Sequence, residues 1–197
     1  MNDKVQVFKD ERDAGLEALI QANASIAYHS PILIGDESLD IKKNFKSLPI
    51  ATAAKNDPDI HHVYSILVTT SWNKNDDVFD KEEVWASKNT PKYKPTNLEH
   101  DERQIVGGIV DNWAVNDDFD LIEENLEAKN LPDHYHILVA SVIYKQWQDP
   151  AYQKRALDLI DEIEAGEKYV SMECIFKGFD YAVIAPNGKH HILARND

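Results

Sequence analysis

The sequence predicts an α+β domain dominated by antiparallel strands, on three observations. Runs rich in β-branched and aromatic residues recur between turn residues. Asp149-Pro150, followed by Leu157, Ile160 and Ile163, has helical start chemistry and spacing. Lys177-Gly178 and Pro186-Asn187-Gly188 separate three closing segments in the manner of consecutive hairpins. The 197 residues, 43% of them hydrophobic, suffice for one good core. The chain therefore reads as one domain over 1–197, with a motif-bearing core at 91–197 and a first part, 1–90, that adds little to the motif pattern.

Taken in order, Ala14, Leu16, Leu19 and Ile20 among charges give Lys9 to Ala24 the pattern of a modest amphipathic helix. Ser30 to Asp36 starts with turn chemistry and a short apolar run, a strand or a loop entry. His62 to Trp72 carries Val63, Ile66, Val68, Thr69 and Thr70 and reads as a strand, followed by a charged connection from Asn73 to Glu83. The prolines between Lys88 and Asn97 predict an extended surface loop. Gln104 to Ala114 is a strand in which Gly107-Gly108 marks a bulge or a close backbone approach.

After an acidic connection, His136 to Tyr144 is a strong strand. Asp149 then caps a helix whose first residue is Pro150 and whose stop is Gly166. Lys168 to Phe176 is a strand that turns Tyr169, Ser171, Glu173 and Ile175 to one face. Val170, Met172, Cys174 and Phe176 take the other, which reads as core.

Charge and composition narrow the partners. With 35 acidic against 21 basic side chains, the formal charge of -14 repels nucleic acid and anionic membranes. The N-terminus lacks a basic stretch followed by an apolar one, and no apolar run reaches bilayer length, so no membrane partner is expected. The single cysteine, Cys174, cannot form an internal disulfide; it reads as a small buried hydrophobe in an intracellular protein.

The best lead to chemistry is Ser171 with His100. A serine on a strand is ordinarily a small filler bonded to nearby backbone, and a histidine in an acidic run is ordinarily solvated. Together they acquire a role: a hydroxyl attacks a carbonyl only if an imidazole takes its proton and later returns it to the leaving group. An imidazole's ordinary pKa suits that task.

The motifs Asn97-Leu98-Glu99-His100-Asp101, Gln104-Ile105-Val106-Gly107-Gly108, the Asp149-Pro150 helix, Val170-Ser171-Met172-Glu173-Cys174 and Phe179-Asp180-Tyr181-Ala182 arrive in an order that resembles the prohead core proteases of tailed phages. These share the herpesvirus assemblin fold. The resemblance covers Pro91 to Asp197. It implies a mostly antiparallel β-barrel of herpesvirus-protease type with peripheral helices, His100 as general base and Ser171 as nucleophile. It also implies a serine endopeptidase that cleaves scaffold and other head proteins after acidic residues, and then itself, inside the assembling prohead in the host cytoplasm. Scaffold and capsid proteins are then its partners, with a homo-oligomer on the assemblin pattern. Since relatives continue past Leu193 to Asp197, the resemblance implies a truncated C-terminus.

Assemblins orient the base with a second histidine and phage relatives with an acidic residue downstream of the serine, which makes Asp197 the third member by spacing. If tight turns join the closing segments, Ser171 faces Ile184 and Ile184 faces His191, so His191 is the geometric rival. The same pairing sets Asp180 opposite Ile175, about 13 Å along the strand from Ser171, and excludes it. Glu173 is a candidate substrate-binding residue, and Arg195 is a cation near the end of the last strand that could serve an oxyanion.

Two other classes of function are weighed. A metal-dependent hydrolase would use Asp133, His134 and His136 with His61-His62 or His190-His191, but adjacent histidines in a strand point to opposite faces and the spacing matches no helix-borne pair. A non-enzymatic capsid or scaffold-associated protein with the same fold is the other. The histidine spacing gives no expected metal, and since Gly107-Gly108 follows no strand-to-helix pattern that cradles phosphate, no organic cofactor is expected.

Overall fold

The computed structural model describes residues 5–6, 29–34, 57–72, 77–174, 179–193 and 195–196. In chain order the elements are β1 (Val5–Gln6), β2 (His29–Ile34), β3 (Ile60–Thr69), β4 (Ser71–Trp72), β5 (Val78–Phe79), α1 (Lys81–Ser87), β6 (Pro95–Leu98), β7 (Asp101–Val115), β8 (His136–Tyr144), α2 (Pro150–Glu164), β9 (Tyr169–Ser171), β10 (Tyr181–Ile184), β11 (His190–Leu193) and β12 (Arg195–Asn196). The class is α+β with mostly antiparallel sheets and two described helices. No closed barrel is found among the described residues. No helix among them is long and apolar enough to cross a membrane.

The chain divides into two compact units, Tyr28–Ser171 and a smaller one formed by Met1–Ala27 with Met172–Asp197. The larger unit holds a six-stranded antiparallel sheet in the order β6-β7-β8-β3-β2-β9. β8 lies inside this sheet because seven consecutive residues, Ile137 to Ile143, all apolar but Ser141, are buried, a run that only a strand covered on both faces sustains. On one face Val63, Val106 and Ile143 pack with Leu159, Ile160 and Ile163 of α2. The other face carries Tyr64, Val115, Leu138 and Ala140, with Trp113 and Phe119 against them. Each large aliphatic side chain buried this way contributes about 1.5–3 kcal/mol.

α2 begins where the sequence places it. The Asp149 carboxylate accepts from Ala151 N at 2.8 Å and Tyr152 N at 3.2 Å, Pro150 takes the first turn, and Gly166, at φ +73, ends the run. Gly107 is the close approach expected of the glycine pair: a Cβ there would lie 1.8 Å from Val142 O. The β7–β8 ladder also shifts register between Ile109 and Asp111, which supplies a bulge.

Several expectations are corrected. The connection expected over Asn73 to Glu83 runs into α1, and the loop expected over Lys88 to Asn97 runs into β6; Asp80 caps α1 through Glu82 N and Glu83 N, a start signal hidden by its acidic neighbours. The strand expected over His62 to Trp72 breaks at Thr70, and Ser71, which opens β4, has a φ of 81 that no continuous strand accepts. β9 is only three residues long, and it pairs with β2 instead of β10. β10 and β11 do form a hairpin, in which Ile184 faces His190 and Val183 faces His191. Cys174 is half-buried, not a core residue. The helix expected over Lys9 to Ala24 lies outside the described residues. In the smaller unit β1 and β12 pair in parallel.

Candidate active site

The β6–β7 hairpin closes with two residues, Glu99 and His100, between the paired Leu98 and Asp101. Both have positive φ, 53° and 57°. A two-residue hairpin loop with both central residues left-handed is the type I′ turn, whose backbone twist matches the flanking strands and which favours Asn-Gly. Glutamate and histidine there cost of order 1–3 kcal/mol each relative to glycine-like freedom. The turn is nonetheless held, and it presents the His100 imidazole at its tip.

β7 pairs with β8 only from Gly107 onward, so its first residues project past the end of β8 together with Asn97 and Leu98 of β6. Leu98 packs on the cluster that includes Val106 and the α2 residues, and Tyr152 OH of α2 donates to Arg103 O at 3.3 Å. The hairpin tip therefore arches over the α2 face.

Its destination is β9. His100 Nε2 lies 2.9 Å from Ser171 Oγ, a contact between residues 71 apart in sequence. β6 and β9 are the first and last strands of the sheet order. On a flat sheet, five strand spacings would separate them by roughly 24 Å. The contact thus requires the sheet to curl and the hairpin to reach across. His100 is exposed and Ser171 half-buried, so the pair is open to solvent and to a substrate.

The acidic residue that follows His100 in the chain is engaged with its own neighbours. Asp101 accepts from Arg103 Nε at 2.9 Å, Arg103 Nη2 at 3.0 Å, the Arg103 backbone N at 3.0 Å and Gln104 Nε2 at 2.9 Å. The Arg103 guanidinium and these further donors hold its carboxyl well below the usual carboxylate range.

Of the other sequence candidates, Asp197 lies outside the described residues and Glu173 is exposed. Arg195 belongs to β12, opposite Val5. The ladder that ranked His191 and excluded Asp180 is not found among the described residues: β9 pairs with β2, Ser171 opposite His29, and β10 pairs with β11, Ile184 opposite His190. Sequence reasoning gave His29 no role; its signal was the short apolar run after it, which marks a strand.

The metal set also changes. Asp133 pairs with Lys81 Nζ at 2.6 Å, and it is Asp117 that joins His134 and His136. His61 instead sits 3.1 Å from Glu164 Oε1, within ion-pair reach though without hydrogen-bond geometry. Comparison with protein-family models, curated proteins and solved structures finds no significant match in any of the three.

Proposed function

We propose that this protein is a serine endopeptidase of the prohead-maturation kind, with Ser171 as nucleophile and His100 as general base, acting on scaffold and other head proteins. The single observation that carries the proposal is the 2.9 Å contact between His100 Nε2 and Ser171 Oγ, brought about by a strained turn and a curled sheet. Hydrogen-bond reach between nucleophile and base is the first geometric requirement of acyl transfer. Strain retained at one point of a fold is characteristic of a functional position. A sheet whose first and last strands approach each other is also the start of the barrel that the family resemblance implies, and the barrel of herpesvirus-protease type belongs to this proposal.

In the reaction, Ser171 Oγ attacks the scissile carbonyl carbon while His100 Nε2 takes the hydroxyl proton. The tetrahedral oxyanion collapses, the C–N bond breaks, and the leaving amine receives the proton from Nε2. Water, deprotonated by the same nitrogen, then hydrolyses the acyl-serine and restores the hydroxyl. Assemblin-type enzymes orient their base with a further residue; besides Asp197, His29 holds the ladder position opposite Ser171.

A fluorophosphonate, which phosphonylates activated serine hydroxyls, tests the proposal. The wild-type chain is expected to label at Ser171, and Ser171→Ala to lose the label. His100→Ala is expected to slow labelling by about 10³-fold or more. Casein cleavage and the His29→Ala variant are followed in parallel. Labelling that Ser171→Ala leaves unchanged would overturn the assignment. A folded wild type that neither labels nor cleaves would favour the non-catalytic, capsid-associated alternative.

A further inference from the structure

The second cluster of chemistry-bearing side chains lies in the larger unit, at the end of β8 where the β7–β8 connection returns. His134 and His136 stand two residues apart at the entry to β8, after a bend at Asp133 and His134, and their rings meet on the same side of the chain. Tyr135 between them points the other way: it is fully buried, and its hydroxyl donates to Lys81 O at 2.5 Å. That anchor fixes the outward direction of both histidines. The third side chain comes from the turn after β7. Asn116 Oδ1 accepts from Asp118 N at 3.0 Å and Asp120 N at 2.8 Å, and this compact loop holds Asp117 above the two rings.

Asp117 Oδ1 lies 2.5 Å from His134 Nδ1 and 3.1 Å from His136 Nε2. The rings meet edge to face with centroids 5.0 Å apart. One ligand atom from each residue falls within 4.8 Å of the others, the only such grouping of three found among the described residues. We infer that Asp117, His134 and His136 bind a divalent first-row transition metal of the zinc class.

Two considerations support this ligand class. First, imidazole nitrogen and carboxylate oxygen are the donors zinc takes at about 2.0–2.2 Å, which sets neighbouring ligand atoms of a tetrahedral site about 3.3 Å apart. The two Asp117 contacts reach that spacing by opening less than an ångström and the two ring nitrogens, within 4.8 Å of each other, by closing toward it; Asp117 and His134 are exposed enough to move, at 65% and 44%. Second, the ring nitrogen of His136 that faces away from the cluster is already engaged: His136 Nδ1 lies 2.8 Å from Thr69 Oγ1, its register partner on β3. Metal-binding histidines characteristically use the remote nitrogen this way, which orients the ring and selects the tautomer. A hydroxyl both donates and accepts, so Thr69 serves His136 with and without the ion. Phe119 stacks on the same ring at 6.2 Å and limits its rotation. Three protein ligands leave one tetrahedral position for water or a bound anion.

The site is independent of the serine–histidine pair and is tested without reference to activity. The full chain, stripped with a chelator, is titrated with Co²⁺, whose tetrahedral complexes absorb strongly in the visible, and the bound Co²⁺ is then displaced by Zn²⁺. One saturable site is expected. Asp117→Ala and His134→Ala, both at exposed positions, should weaken it by at least about 100-fold, and Thr69→Val by about 10-fold. His61→Ala should leave it unchanged. Circular dichroism checks that each variant is folded. An absence of saturable binding by the wild type would overturn the inference, as would binding that Asp117→Ala and His134→Ala both leave intact.

Discussion

The larger unit builds two histidine sites by opposite means. His134 and His136 come from one short segment, and Asp117 lies across a single strand connection, so the cluster forms once β7 and β8 pair. His100 and Ser171 come from opposite ends of a six-stranded order and meet only through a left-handed turn and a curled sheet. The first arrangement is inexpensive and tolerant of change elsewhere. The second depends on every intervening strand, and it spends backbone strain on one imidazole. Local spacing produces clusters readily; a strained, long-range contact is harder to reach without a use for it.

The largest expected break in this contrast is Gly107→Ala. A Cβ 1.8 Å from Val142 O forces β7 away from β8 at the point where the hairpin starts to arch. Chemical denaturation should show a loss of about 3 kcal/mol or more. Fluorophosphonate labelling of Ser171 should fall even where the variant is folded. The Asp117 cluster, at the other end of the β7–β8 ladder, should keep its Co²⁺ affinity in the folded fraction.

Exchanging the turn sharpens the contrast next. Glu99→Asn with His100→Gly installs the residues that a type I′ turn prefers. The double variant should gain about 1–2 kcal/mol in stability while labelling of Ser171 collapses. Glu99→Asn alone should keep the label and part of the gain. A double variant no more stable than wild type would show that the turn stores no strain.

The smallest effect concerns the sheet that both sites share. Burial pushes His61 down from its ordinary pKa more than Glu164 raises it. The folded-state value thus lies below the unfolded one, near 6.5, and between the two the unfolded chain binds the extra proton. The stability that neutral His61 contributes is complete above about pH 6.5 and is lost as pH falls through the folded value. Burial shifts His62 and His136 in the same direction. Urea midpoints should therefore drop from about pH 7.5 to 5.5. His61→Gln should flatten part of that slope.

Much of the frame was legible because it rests on local chemistry. The Asp149 cap, the Pro150 start, the Gly166 stop and the apolar run of β8 each announce themselves within a few residues. What escaped was pairing. A three-residue strand such as β9 carries too little pattern to name its partner, so β10, its neighbour in sequence, was assigned where β2 is the partner. The β6–β7 turn was missed because Glu-His resembles no turn signal. Asp117 was missed because the choice of Asp133 rested on sequence adjacency to His134, whereas the β7–β8 ladder, with Val115 opposite His136, brings residue 117 to the same end of the sheet. His100 and Ser171 are paired in the sequence only through a resemblance; no local spacing joins residues 71 apart, and their contact depends on the turn and the sheet.

The 71-residue separation of His100 and Ser171 also has a consequence in time. The hairpin leaves the ribosome early, and the imidazole waits at its tip. β8 and α2 both lie between it and Ser171 in the chain, so both are synthesised before the hydroxyl it meets. Under the proposed function, the chain would thus carry its own clock: no proton could pass from Ser171 to His100 until the last strand of the sheet has been made, and its addition against β2 would be the event that arms the pair.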